Sequence, residues 1–173
     1  MDDLEALKNC IGGDKDSFRF LVERYQQQAI GHAAAVLGNR EDASDAVQEA
    51  FIDAYRAINR FDFERRFYPW FYVLLRNRCF KMLASAGRRN TESVDETEIL
   101  APQPESSIEE TLSPETALLA LSPEDRELIS LKYLDGLSYQ ELAELLQIPK
   151  GTVMSRLYHA RKQLQVKLTK IFS

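Results

Sequence analysis

Residues 137–164, LSYQELAELLQIPKGTVMSRLYHARKQL, hold two amphipathic stretches at helical spacing, broken once by Ile148-Pro149. That pattern leaves little freedom. Ser138 and Glu141 have the S-x-x-E spacing of a capping box that opens a first helix, and Leu142, Leu145 and Leu146 form its buried stripe. Proline disfavours a helical residue before it, so Ile148-Pro149 stops that helix, and Pro149 suits the first position of the next. Beyond the turn Val153, Leu157, Ala160, Leu164, Leu168 and Ile171 fall on one face. The expected unit is a helix-turn-helix.

The opposite face of the second helix carries Gly151, Thr152, Ser155, Tyr158, His159 and Lys162, flanked by Lys150, Met154, Arg156 and Arg161. No acidic residue occurs from Lys150 onward. A short polar face with a basic border suits a major-groove helix: the border holds phosphates while the helix N-terminus reaches base edges. The competing reading is a hairpin that only packs or dimerises, with its lysines as solvated surface. Agreement of cap, turn and charge favours DNA.

The formal charge of −5 over 173 residues conceals an uneven distribution. Residues 91–122 contain eight acids, Glu92 through Glu115, and no lysine or arginine, which leaves the rest of the chain at plus three. An acidic total is therefore compatible with nucleic-acid binding. Pro102, Pro104 and Pro114 lie in the same stretch, and its composition is that of a flexible linker. The expected organisation is a helical domain over 1–90, an acidic linker over 91–120 and the helix-turn-helix domain over 121–173. No apolar run is long enough to span a membrane, and the acidic MDDLEALKNC start lacks a signal-peptide apolar region. Cys10 and Cys79 match no metal or redox spacing and read as buried free thiols in a reducing cytoplasm.

The first domain shows apolar residues every three or four positions and no strand alternation. A helix is expected over Asp3 to Ile11, closed by Gly12-Gly13. A second starts near an Asp16 cap, buries Phe18, Leu21, Val22, Tyr25, Ala29, Ala33, Val36 and Leu37, and stops at Gly38. Asn39 caps a third, which turns Ala43, Ala46, Val47, Ala50, Phe51, Ala54 and Ile58 inward and Asp42, Asp45, Gln48, Glu49 and Asp53 outward. Periodicity alone makes those carboxylates a solvated face. Neither His32 nor His159 follows a glutamate by three residues, so no di-metal carboxylate motif is present and no metal or cofactor is expected.

Pro69 suits the first turn of a fourth helix running through Trp70 to about Ala84. Between Arg65 and Thr91 the chain carries Arg65, Arg66, Arg76, Arg78, Lys81, Arg88 and Arg89 without an acid, interleaved with rings. Arginine with aromatic groups can stack splayed bases while holding the backbone. Phe67, Trp70, Phe71 and Leu74 read as core. The loop from Phe61 to Tyr68, with Phe63 in it, together with Asn77 and the cations, reads as the part facing nucleic acid.

Three stretches in this order, DAVQEAFIDAYRAI (45–58), FYPWFYVLLRNRCFKML (67–83) and residues 121–164, resemble the extracytoplasmic-function sigma factors. These are the small two-domain branch of the sigma-70 family of bacterial RNA polymerase initiation factors. The resemblance implies an all-α chain of two small helical domains joined by an acidic flexible linker, the second a helix-turn-helix. It implies a dissociable, non-enzymatic, cytoplasmic subunit with no cofactor. Its implied partners are the clamp and flap of core RNA polymerase, promoter DNA in double- and single-stranded form, and an anti-sigma factor, with no membrane insertion.

Residue by residue, the resemblance implies polymerase docking through Asp45, Gln48, Glu49 and Phe51. It implies minus-ten recognition and melting through Phe61, Phe63, Arg65, Arg66, Arg76, Asn77, Lys81, Arg88 and Arg89. For the minus-thirty-five element it implies Lys150, Thr152, Met154, Ser155, Arg156, Tyr158, His159 and Lys162. Met154 stands where many relatives carry a basic residue, and a thioether cannot make arginine's paired bonds to guanine. His159 is shorter than the basic side chain common at its position. The alternatives are a stand-alone dimeric helix-turn-helix regulator, which would bind a palindrome tightly without polymerase, and a helical metal hydrolase, which would retain tightly bound metal.

Overall fold

The computed structural model describes residues 1–92 and 114–172, and the side chains of 1–88 and 116–170. All regular structure among them is helical: α1 Asp3–Ile11, α2 Lys15–Leu37, α3 Arg40–Ala57, a 3₁₀ turn Ile58–Arg60, α4 Phe67–Glu92, α5 Pro114–Leu119, α6 Pro123–Tyr133, α7 Tyr139–Leu146 and α8 Lys150–Phe172. The acidic stretch 93–113, most of the expected linker, lies outside the described residues.

Short polar side chains start most of these helices by occupying amide groups that the first turn leaves unpaired. Asp2 accepts from the Glu5 amide at 2.8 Å, Asn39 from Asp42 at 2.8 Å and Ser122 from Asp125 at 3.2 Å. The start of α2 corrects the expected Asp16 cap. Asp14 is the cap, accepting from the Asp16 amide at 3.0 Å and the Ser17 hydroxyl at 2.7 Å. Two carboxylates two residues apart compete for that role, and Gly13 at φ 101° delivers Asp14 in the extended conformation that a cap needs. Gly38 ends α2 at φ 84°, where a side chain would be strained, and returns its amide to Ala34 O at 2.8 Å.

Helices α1–α4 enclose the first core. Ala43, Ala46, Ala50 and Ala54 form a fully buried small-residue stripe on α3, which lets α2 and α4 approach closely. Phe51 stacks on Phe71 at 4.2 Å between centroids, and Phe67 stacks on Phe71 at 5.8 Å. α4 continues about two turns past Ala84, because Ser85, Ala86, Gly87 and Arg88 include no proline and the Ser85 hydroxyl bonds back to Lys81 O at 3.0 Å. The second core gathers Leu121, Leu128, Leu131, Leu142, Val153, Leu157 and Ala160 from α6–α8 and the segment before them.

α5 occupies part of the stretch expected to be linker and buries Ala117. Its proline and glutamate resemble the linker composition, while Ala117 and Leu118 supply an apolar face too short to register as periodic.

The two helical units pack directly on each other, chiefly α2 on α6 and α4 on α7. Tyr72 of α4 is buried among the residues of the second core. Arg126 on α6, 7% exposed, donates from Nε to Ala35 O at 2.7 Å and from a terminal nitrogen to Val36 O at 2.6 Å. Those carbonyls belong to the last turn of α2, where a cation also meets the negative end of the helix dipole. The other terminal nitrogen donates to Leu119 O and Leu121 O, both at 2.9 Å. One buried guanidinium thus ties α2, the end of α5 and α6 together.

Candidate nucleic-acid interface

The helix-turn-helix is built as its residue types require. Ser138 and Glu141 form the reciprocal capping box, with the Ser138 amide donating to Glu141 at 2.8 Å and the Glu141 amide to Ser138 Oγ at 3.2 Å. Those bonds to Ser138 hold the Glu141 carboxyl below its ordinary pKa. Gln147 closes α7 in the left-handed region at φ 53°, and Ile148 returns its amide to Ala143 O at 3.1 Å. Pro149 sits one place earlier than expected, just before α8, and its carbonyl accepts from Thr152 at 2.9 Å and Val153 at 3.1 Å.

Val153, Leu157 and Ala160 anchor α8 on the second core. Lys150, Met154, Ser155, Arg156, Tyr158, His159 and Lys162 are exposed on the other side, and Thr152 is half-buried. Met154, 49% exposed, lies within that polar surface. Arg161 is engaged elsewhere: it donates to the Tyr133 hydroxyl at 3.2 Å and to Leu157 O at 3.3 Å, fixing α8 to the end of α6.

The basic segment of the first unit divides into two faces. Asn77, Lys81 and Arg88 recur at helical spacing on the exposed side of α4. Arg65 and Arg66 are exposed in the preceding loop, beside Phe63. That loop is shaped by Asp62, which accepts from the Glu64 amide at 3.0 Å and pairs with Arg65 at 3.5 Å. Arg76 points the other way. It donates to Glu127 Oε1 at 2.7 Å and lies 4.5 Å from the Phe80 ring centre. Arg78, one of the cations expected to face nucleic acid, instead bonds Asp53 on α3 at 2.6 Å. The side chain of Arg89 lies outside those described.

Two expected contact residues prove to be packing residues. Phe61 is buried, edge-on to Phe63 at 5.6 Å and to Trp70 at 5.2 Å, because the 3₁₀ turn before it drives the ring inward. Phe51 is buried against Phe71 and Phe18, so it shapes the α3 surface from beneath. Asp45, Gln48 and Glu49 are exposed together, and Ile52, one turn on, is 43% exposed. Its signal in the sequence was an apolar residue on an otherwise polar face.

Between the units lies a cleft of about 720 Å³ bounded by Asp3, Arg24, Arg65, Arg66, Asp135 and Glu141 among others. His32 spans its floor. In the tautomer protonated on Nε2, the ring donates to Asp135 and accepts from the Tyr68 hydroxyl, 2.7 Å from Nδ1. Burial, then the Asp135 charge, pushes the Tyr68 phenol up, and burial with Glu127 does the same to Tyr72. Burial also pushes the Cys79 thiol up to about 12, which disfavours the reactive thiolate.

Residues 21–89 match the family model of sigma-70 region 2, and residues 115–164 that of sigma-70 region 4. The chain is 35% identical over 186 residues to the ECF RNA polymerase sigma-E factor of Haemophilus influenzae, with 97% of this chain and 96% of that protein covered. The chain belongs to the extracytoplasmic-function branch of the sigma-70 family. The sigma-E factor of Escherichia coli K12 is 37% identical over 170 residues, covering 90% of this chain and 88% of that one. Among solved structures, the sigma factor RpoE of Bartonella quintana, in complex with the anti-sigma factor NepR, superposes with a TM-score of 0.70. The identity there is 25%, and the match covers 88% of this chain and 96% of that one. As a sigma factor the chain binds core RNA polymerase and directs transcription initiation at promoters, and the dimeric-regulator alternative has no support. No described helix is long and apolar enough to cross a membrane.

Proposed function

We propose how the work of this sigma factor is divided among its residues. The exposed face of α8 reads the minus-thirty-five element in the major groove: Lys150, Arg156 and Lys162 hold phosphates, while Thr152, Met154, Ser155, Tyr158 and His159 meet base edges. The observation that carries this is the alignment of those side chains on one solvent face of a capped helix whose other face is anchored by Val153, Leu157 and Ala160. Phe63, Arg65 and Arg66 in the loop, with Asn77, Lys81 and Arg88 on α4, hold the separated minus-ten strand. Arg76 joins them when Glu127 releases it.

Asp45, Gln48, Glu49 and Ile52 meet the polymerase clamp, where charge complementarity sets register and the apolar side chain adds buried area. The flap rests on the second unit. An anti-sigma factor is the natural inhibitor, as in the Bartonella complex. The subunit works in the cytoplasm and makes no bonds itself; phosphodiester chemistry belongs to the polymerase. Functional boundaries at 1–90, 91–120 and 121–173 serve this division, with α5 recruited to the second unit.

Transcription from a library of randomised promoters, with and without core polymerase, tests the assignment. Initiation only with both components, at templates sharing two separated elements, is the expected result. An Arg156→Ala chain that left protection over the upstream element unchanged would remove that residue from the interface.

A further inference from the structure

The acidic face of α3 and the basic face of α4 meet along a groove of about 330 Å³, bordered by Asp42 and Glu49 from α3 and by Arg78 and Lys81 from α4. Arg78 stands at the join. Its Nε donates to Asp53 Oδ2 at 2.6 Å, and a terminal nitrogen lies 2.5 Å from the same oxygen and 3.9 Å from Glu49 Oε2. Glu49 and Asp53 are one turn apart on α3, and Glu49 belongs to the face assigned to polymerase docking. Lys81 is one turn from Arg78 on α4, among the exposed groups assigned to the strand. A single guanidinium therefore borders both surfaces.

We propose that Arg78 is shared between the two surfaces: α3 holds it in the free chain, and docking hands it to a strand phosphate beside Lys81. This rests on the reading of α3 as the docking face and of the α4 cations as strand contacts. A partner surface that complements Asp45 and Glu49 is basic. Its cations take the Glu49 carboxylate and stand close to Arg78, so like charges drive the guanidinium off α3. The nitrogens engaged on Asp53 form an edge with which arginine grips a phosphate, so carboxylate and phosphate exclude each other there. Residues one helical turn apart are side-chain neighbours, which puts the phosphate held by Lys81 within reach of Arg78.

The exposure of the pair suits such an exchange. Arg78 and Asp53 are each half-buried and Glu49 is exposed, so water screens their attraction and the contact adds little to folding. The packing of α3 on α4 resides in the stack of Phe51 on Phe71 and in the buried alanines, which the exchange leaves intact. Linkage makes the coupling reciprocal: the factor by which docking raises strand affinity is the factor by which a bound strand raises docking.

The test uses the full chain, purified core polymerase and a labelled single strand of randomised sequence. Without polymerase, Asp53→Asn should release Arg78 and raise strand affinity about threefold, the scale of an exposed ion pair. Asp53→Asn/Arg78→Met should lose that gain. Without DNA, Arg78→Met should dock on core polymerase about threefold more tightly, because the repulsion is gone. The assembled complex should nevertheless open promoters less well than the parent. A pair that only braces α3 against α4 would shift docking and opening in the same direction when broken. That result, unchanged docking in Arg78→Met, or unchanged strand affinity in Asp53→Asn overturns the proposal. The underlying reading has its own controls: Lys81→Ala should weaken strand binding, and Asp45→Lys should weaken docking. If either binds like the parent, the surface assignment fails, and the coupling with it.

Discussion

Met154 is the residue whose chemistry departs furthest from its surroundings. It is half-exposed on a helix face otherwise made of hydroxyl, imidazole and cationic groups, and its thioether offers van der Waals contact but no paired donors. Met154→Arg should therefore add preference for guanine at one position of the upstream element, worth about 1–3 kcal/mol of discrimination. Selection from templates randomised in that element would show it, and an unchanged base profile would place Met154 off the bases. Gln147 is the other informative residue, since it holds α7 and α8 at their angle from the left-handed region. A β-branched side chain is poorly tolerated there, so Gln147→Val should cost about 1–2 kcal/mol in urea unfolding, while Gln147→Gly should be neutral or better.

At the scale of the element, α3 presents an acidic face in which Arg78 holds Asp53, while Asp45 and Glu49 lie further out at the surface. Asp45 and Glu49 are exposed, and the α3 packing resides in the alanine stripe and Phe51. Asp45→Lys/Glu49→Lys should weaken capture of core polymerase in a pull-down while moving stability by no more than about 0.5 kcal/mol per site. Equal capture would remove these carboxylates from the docking surface. The existence of α1 and α4 was legible in the sequence from a glycine stop and a first-turn proline, and the existence and faces of α2, α3, α7 and α8 from their apolar stripes. Local competition hid the rest. Asp14 and Asp16 are equivalent by composition, α5 is shorter than a periodic signal needs, and the ring of Phe61 turns inward through a 3₁₀ turn that no spacing rule describes. In the candidate interface, spacing on a helix placed the α8 face at the surface, and composition did the same for Asn77 and Lys81. The fate of Arg76 depended on Glu127, 51 residues away, and pattern reading has no access to such a pairing.

At the scale of the whole molecule, polar groups that must keep particular protonation states sit where the two units meet. Tyr72 donates its phenolic proton to Glu127 across the interface, and burial followed by the Glu127 charge pushes its pKa well above the ordinary value near 10. A raised folded-state value means that the closed form binds this proton more tightly than a separated form does. The stabilisation is complete below about pH 10, the separated value, and is lost as pH climbs through the folded one. Tyr68, raised by burial and by Asp135, works in the same sense at the same interface. Tyr25 is pushed up to about 12 by burial and its bond to Asp3, but it lies within the first unit and does not report on closure. Alkaline titration should therefore separate the units while helicity persists, with scattering radius rising as the interfacial tyrosinates appear in the ultraviolet. Tyr72→Phe removes the titrating group and leaves Glu127 bonded to Arg76. It should weaken closure at neutral pH by about 1 kcal/mol, the net worth of a hydrogen bond, and blunt the alkaline expansion. If the variant expanded with the same pH profile as the parent, the interfacial phenol would not be the group that couples proton loss to opening.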